Sequence, residues 1–96
     1  MFSATSTESS PTACFYVHAV AEPGVMPRVL ELFAKRGLIP AAWHSSVGGA
    51  RGGELHIDIQ VAAMAAAESE YIARCLRQIA YVEAVLTSEK GYAMRA

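Results

Sequence analysis

Residues 54–61, "ELHIDIQV", alternate without a fault: Leu55, Ile57, Ile59 and Val61 are apolar, and Glu54, His56, Asp58 and Gln60 are polar. A period of two marks a strand with one face on a core and the other in water. Parallel sheets are covered on both faces and read as unbroken apolar runs, so the alternation points to an antiparallel sheet. The apolar face of such a sheet needs a second layer to cover it.

The neighbouring stretches supply the rest. "ACFYVHAV" (13–20) is rich in β-branched and aromatic residues and predicts a strand. Phe15, Val17 and Ala19 form its drier face, and Cys14, Tyr16 and His18 the other. "LIPAAWHSSV" (38–47) reads as a further strand, and Pro40, which has no amide proton for a ladder, places it at an edge. "GGARGG" (48–53) joins it to residues 54–61 as a hairpin loop. It lacks the Gly-Lys-Ser/Thr ending of a phosphate loop and links two strands rather than a strand and a helix. "YVEAVLTS" (81–88) is the last strand.

Two helices lie between. In "AEPGVMPRVLELFAKRGLIP" (21–40), Val25, Val29, Leu32 and Phe33 fall on one helical stripe. Pro27 suits the first turn, Lys35 and Arg36 oppose the dipole of the last turn, and Gly37 is a natural residue just past the helix end. From Ala66 to Ile79 a second stripe comprises Ile72, Cys75, Leu76 and Ile79, with Glu68, Glu70, Arg74 and Arg77 facing water. The order β-α-β-β-α-β is that of the α+β, ferredoxin-like sandwich. Right-handed crossovers then put both helices on one face of a four-stranded antiparallel sheet, in the spatial order 4-1-3-2. That fold serves many functions and settles none.

A length of 96 residues makes one domain, expected over 13–88, with a disordered N-terminal tail at 1–12 and a short C-terminal tail at 89–96. The composition is 53% hydrophobic, which in so small a chain favours an apolar subunit interface. A net charge of −1 with scattered Lys and Arg argues against a nucleic-acid partner. No run approaches the roughly 18 apolar residues of a membrane span, and "MFSATSTESSPT" (1–12) is not a secretory signal. Cys14 and Cys75 lack a metal or redox spacing and read as free thiols of a cytoplasmic protein.

The Pro-Gly-Val turn at 23–25, followed by "RVLELFAKRGL" (28–38), resembles the ACT domain family of small-molecule-sensing regulatory modules. The resemblance covers residues 13–88. Within the family the helix "RVLELFAKRG" and the strand ending "VLTSE" look most like the small regulatory subunit of acetohydroxyacid (acetolactate) synthase. It implies a non-catalytic regulator of an amino-acid biosynthetic enzyme, paired with a large catalytic subunit. It also implies a homodimer formed through edge strand 2, with an amino-acid effector bound at the dimer interface. The effector site would comprise Ala21, Glu22, Gly24 and Val25 of one chain with Ile39 and Pro40 of its mate. The turn suits that use, because amides at a helix start attract a carboxylate and a glycine admits a ligand close to the backbone. Two positions depart from the family pattern. Effector-binding ACT domains commonly carry Asn or Asp where this chain has Ala21, and a polar residue where it has Ile39.

The alternative reading lies in the histidines. Alternation puts His56 and Asp58 on the wet sheet face, and strand parity allows His18 and His44 there too. Three imidazoles and a carboxylate are suitable ligands for zinc, nickel or copper, which would make a stand-alone metal sensor. A purely structural assembly module is the third reading. Ser45, Ser46 and Cys14 have no catalytic setting, so neither an enzyme nor a cofactor is expected.

Overall fold

The structure, a computed structural model, describes residues 11–90. Strand β1 (Thr12–Val20) leads into helix α1 (Val25–Lys35) and strand β2 (Ala42–Gly48). A short 3-10 turn (Ala50–Gly52) joins β2 to β3 (Glu54–Val61), and helix α2 (Ala66–Arg77) precedes β4 (Val82–Lys90). The sheet has four strands in the order β2-β3-β1-β4, with every neighbouring pair antiparallel. This is the βαββαβ sandwich that the residue pattern predicts, with strand 2 on an edge.

The alternation of β3 is reproduced in its burial, with Leu55, Ile57, Ile59 and Val61 inside. Ala13, Phe15, Val17 and Ala19 of β1 join them on the same face, so both central strands turn one side to the helices. Val25, Val29 and Phe33 of α1 and Ile72, Ala73 and Leu76 of α2 complete the core. Phe33 meets Phe15 edge-to-face, ring centroids 5.6 Å apart, a geometry that adds to the burial of both rings. Leu32, Ile79 and Trp43 pack at the core's margin.

Several boundaries differ from the sequence expectation, the largest at the start of β2. The start of β2 moves from residue 38 to Ala42, because the end of α1 claims the first residues. Gly37 takes φ 70°, its N–H bonds to Ala34 O and Leu38 N–H bonds to Phe33 O, both at 3.0 Å. That is a Schellman closure, which holds Leu38 in the helix cap. Pro40 has no N–H, so the first tie to β3 is Ala41 N–H to Gln60 O at 2.7 Å. Pro40 thus precedes the edge strand and does not lie in it. Helix α2 ends at Arg77, two residues short of the expected Ile79, in tight i→i+3 bonds from Gln78 and Ile79.

The strand expected at 81–88 runs from Val82 to Lys90, since Tyr81 at φ 75° forms the turn before it. The tail expected at 1–12 lies outside the described residues except for Pro11 and Thr12, and Thr12 opens β1. The tail expected at 89–96 lies outside them from residue 91, and Glu89 and Lys90 end β4. No helix among the described residues is long and apolar enough to cross a membrane.

Candidate functional site

Where β1 ends, the backbone is tied down at each step. Ala21 N–H bonds to Gly53 O at 3.0 Å, Glu22 N–H to Val20 O at 2.7 Å, and Val25 N–H to Glu22 O at 3.1 Å. Gly24 is the N-cap of α1, with φ −75° and ψ −9°, and no side chain caps the helix there. A Cβ placed on Gly24 would meet only the Arg28 guanidinium, at 3.9 Å. Among the described residues, the helix start is therefore uncovered. Beside it lies an open groove of about 300 Å³ lined by Ala21, Glu22, Pro23, Met26, Val47 and Leu55. All of these except Glu22 are apolar, so the groove suits an aliphatic side chain next to a helix end that favours a carboxylate.

The six expected effector residues do not meet within one chain. Ala21 and Glu22 line the groove, Gly24 follows its lining residue Pro23 in the chain, and Val25 is fully buried, its side chain spent on the core. Ile39, 85% exposed, and Pro40 follow the other end of α1. The 11 residues of α1 span about 16 Å at 1.5 Å per residue. The strand register agrees. Val47 is level with Leu55 and Ala19, next to the turn, whereas Ala42 is level with Gln60 and Cys14 at the far end.

The open face of the sheet holds a second group. His18 of β1 and His56 of β3 are direct cross-strand partners, and their rings stack with centroids 4.9 Å apart and 13° between planes. Glu54 Oε1 lies 3.3 Å from His56 Nε2 and 3.5 Å from His18 Nε2. Both other ring nitrogens have neighbours as well. Tyr16 Oη is hydrogen-bonded to His56 Nδ1, and Glu83 Oε1 stands 3.8 Å from His18 Nδ1.

Glu83 reaches this face because β4 bulges between its contacts with His18 and Ala19, leaving Glu83 as the extra residue. His44 is not in the group. It is exposed and faces Asp58, while Ser46 sits opposite His56. The quartet of His18, His44, His56 and Asp58 is thus replaced by His18, His56 and Glu54, whose ligand atoms all lie within 4.8 Å of one another. Glu54 was findable from sequence, since it sits two residues from His56 on the same face. Tyr16 and Glu83 needed the register.

Element order and sheet topology together define a ferredoxin-like βαββαβ module. The chain belongs to the ACT-like domain family, whose model matches residues 6–92. Among solved structures it is similar to the ACT domain of GTP pyrophosphokinase from Chlorobium tepidum, at 12% identity and TM-score 0.67, over 80% of this chain and 96% of that one. The C-terminal domain of the MgtC protein from Mycobacterium tuberculosis superposes at TM-score 0.68 and 13% identity, over 93% and 97% of the two chains. The regulatory subunit of aspartate kinase from Thermus thermophilus matches at TM-score 0.63 and 16% identity, over 81% of this chain and 50% of that one. At such identities the likeness is one of fold. No curated protein sequence matches the chain.

Proposed function

We propose that this chain is a non-catalytic regulatory protein that binds a small amino acid at the turn between β1 and α1 and passes that signal to a biosynthetic enzyme. The observation that carries the reading is the uncovered start of α1 at Gly24 beside the apolar groove. A regulatory role is also the printed description of the aspartate kinase neighbour. The wording of "RVLELFAKRG" and "VLTSE" favours acetolactate synthase as the enzyme, with this chain as its small subunit in the cytoplasm.

A homodimer would complete the site. Antiparallel pairing of two β2 edges sets the Ala42 end of one chain against the Gly48 end of the other. Because Gly48 lies level with Glu54 and Val20 beside the turn, this brings Ile39 and Pro40 of the second copy to the groove of the first. An effector held between chains would favour one arrangement of the pair, which the enzyme senses by linkage.

Calorimetry with valine, leucine and isoleucine tests the reading. Ala21 and Ile39 offer no side-chain hydrogen bond, so the expected affinity is weak, about 1 mM or near −4 kcal/mol. Ala21→Asn restores one polar partner and should tighten binding by about 0.5–1.5 kcal/mol. Silence from both the native chain and the Asn variant would refute amino-acid binding here. Co-purification of a thiamine-diphosphate enzyme with the chain tests the partner.

A further inference from the structure

We propose that the open sheet face carries a binding site for a divalent transition-metal ion of the zinc class, formed by His18, Glu54 and His56. It is independent of the effector reading, being on other residues and the other face of β1.

The distances fit a tetrahedral ion. Zinc bonds of about 2.0–2.2 Å to nitrogen and oxygen set neighbouring donor atoms of a tetrahedron about 3.3–3.6 Å apart. The two edges from Glu54 Oε1, to His56 Nε2 at 3.3 Å and to His18 Nε2 at 3.5 Å, already have that length. Only the His18–His56 edge has to close, from within 4.8 Å. The donor set of two imidazoles and one carboxylate suits zinc, nickel or copper and is wrong for magnesium or calcium, which take oxygen ligands.

The outer partners fit as well. Histidines that bind metal through Nε2 commonly have Nδ1 held by a carboxylate or another polar group, which fixes the tautomer and aims the ring. Here Tyr16 holds Nδ1 of His56 and Glu83 stands at Nδ1 of His18, leaving both Nε2 atoms turned to the Glu54 carboxylate. The Tyr16 hydroxyl both donates and accepts, so it serves the ring with or without a metal.

Two further observations bear on the site. His18 Nε2 is buried and, among the described residues, makes no hydrogen bond, although Glu54 Oε1 stands 3.5 Å away. A buried polar atom left so is costly unless something satisfies it. The arm of Glu54 lies across Gly49, where a Cβ would come within 2.6 Å of Glu54 Cδ. Gly49 therefore leaves room for the carboxylate to reach the histidines.

Three protein ligands leave a fourth position for an exchangeable group. The side chains are 28–29% exposed for the histidines and 47% for Glu54, so the group borders solvent, and a small turn of the Glu54 carboxylate would open the covered His18 Nε2 to an ion.

The test uses the full chain, free of any affinity tag and stripped with a chelator, titrated with zinc chloride by calorimetry. Cobalt chloride absorption serves as a readout of geometry, and magnesium chloride as the control. One zinc per chain, visible bands of tetrahedral cobalt and no response to magnesium are expected. His56→Ala and Glu54→Gln should abolish binding, Tyr16→Phe should weaken it about tenfold, and His44→Ala should leave it unchanged. Circular dichroism confirms that each variant is folded, and Tyr16→Phe, which removes one hydroxyl, stands in for any that is not. Absence of zinc binding, or binding that survives both His56→Ala and Glu54→Gln, overturns the site. Loss of binding in His44→Ala overturns this ligand set.

Discussion

Two glycines flank α1 and have opposite requirements. Gly24 has φ −75°, open to any residue, with space around its missing Cβ. Gly37 sits at φ 70°, where an L side chain is strained although nothing crowds it. Gly37→Ala should therefore cost about 1–2 kcal/mol, read as a lowered urea midpoint. Gly24→Ala should leave stability within about 0.5 kcal/mol of the native protein and still weaken effector binding, because the new methyl stands at the helix mouth. The pair separates a folding effect from a binding one. Gly37 was legible in the sequence, since it follows Lys35 and Arg36 where a helix stripe stops. The backbone angle of Gly24 was not, because a Pro-Gly turn admits either sign of φ. Likewise, parity alone put Glu54, His56 and His18 on the wet face. Their convergence depends on the register of two strands distant in the chain, which no local pattern encodes.

The elements were most legible where the period was cleanest. β3 matches its expected span of 54–61, and of the expected α1 stripe Val25, Val29 and Phe33 are buried while Leu32 is partly so. The error at β2 came from an apolar run, "LIPAA" (38–42), that reads as strand by composition. Leu38 belongs instead to the helix cap, by a bond five residues back to Phe33 that composition does not reveal. The tie between the helices was also out of reach. Arg36 donates to the Tyr71 hydroxyl at 3.0 Å and lies 4.9 Å from the Tyr71 ring centroid. Phe33 is the element-scale anchor, fully buried against Phe15. Phe33→Ala should cost about 3–5 kcal/mol, measured by chemical denaturation. A loss under 1 kcal/mol would mean that α1 is not seated as described.

At the scale of the whole molecule, the sheet has two edges of different character. β4 carries Glu83, Glu89 and Lys90, charges of the kind that discourage pairing. β2, "AWHSSVG", carries no Asp, Glu, Lys or Arg. Val47 on it is 63% exposed, and Met26 and Leu30 of α1 are also bare. We expect a homodimer through β2 at tens of micromolar protein, an order of magnitude well above the dissociation constants of stable interfaces. Val47→Lys should shift it toward monomer. Sedimentation velocity reads both, and a native chain that sediments as a monomer would refute the pairing.

Trp43 gives that equilibrium an optical signature. It is the single tryptophan of the chain, it lies in β2, and it packs only partly against the core. Intrinsic emission therefore comes largely from the edge where a second copy would dock, with no label required. Dilution that parts the chains should move the emission to longer wavelength as water reaches the indole, and an effector that tightens the pair should move it back.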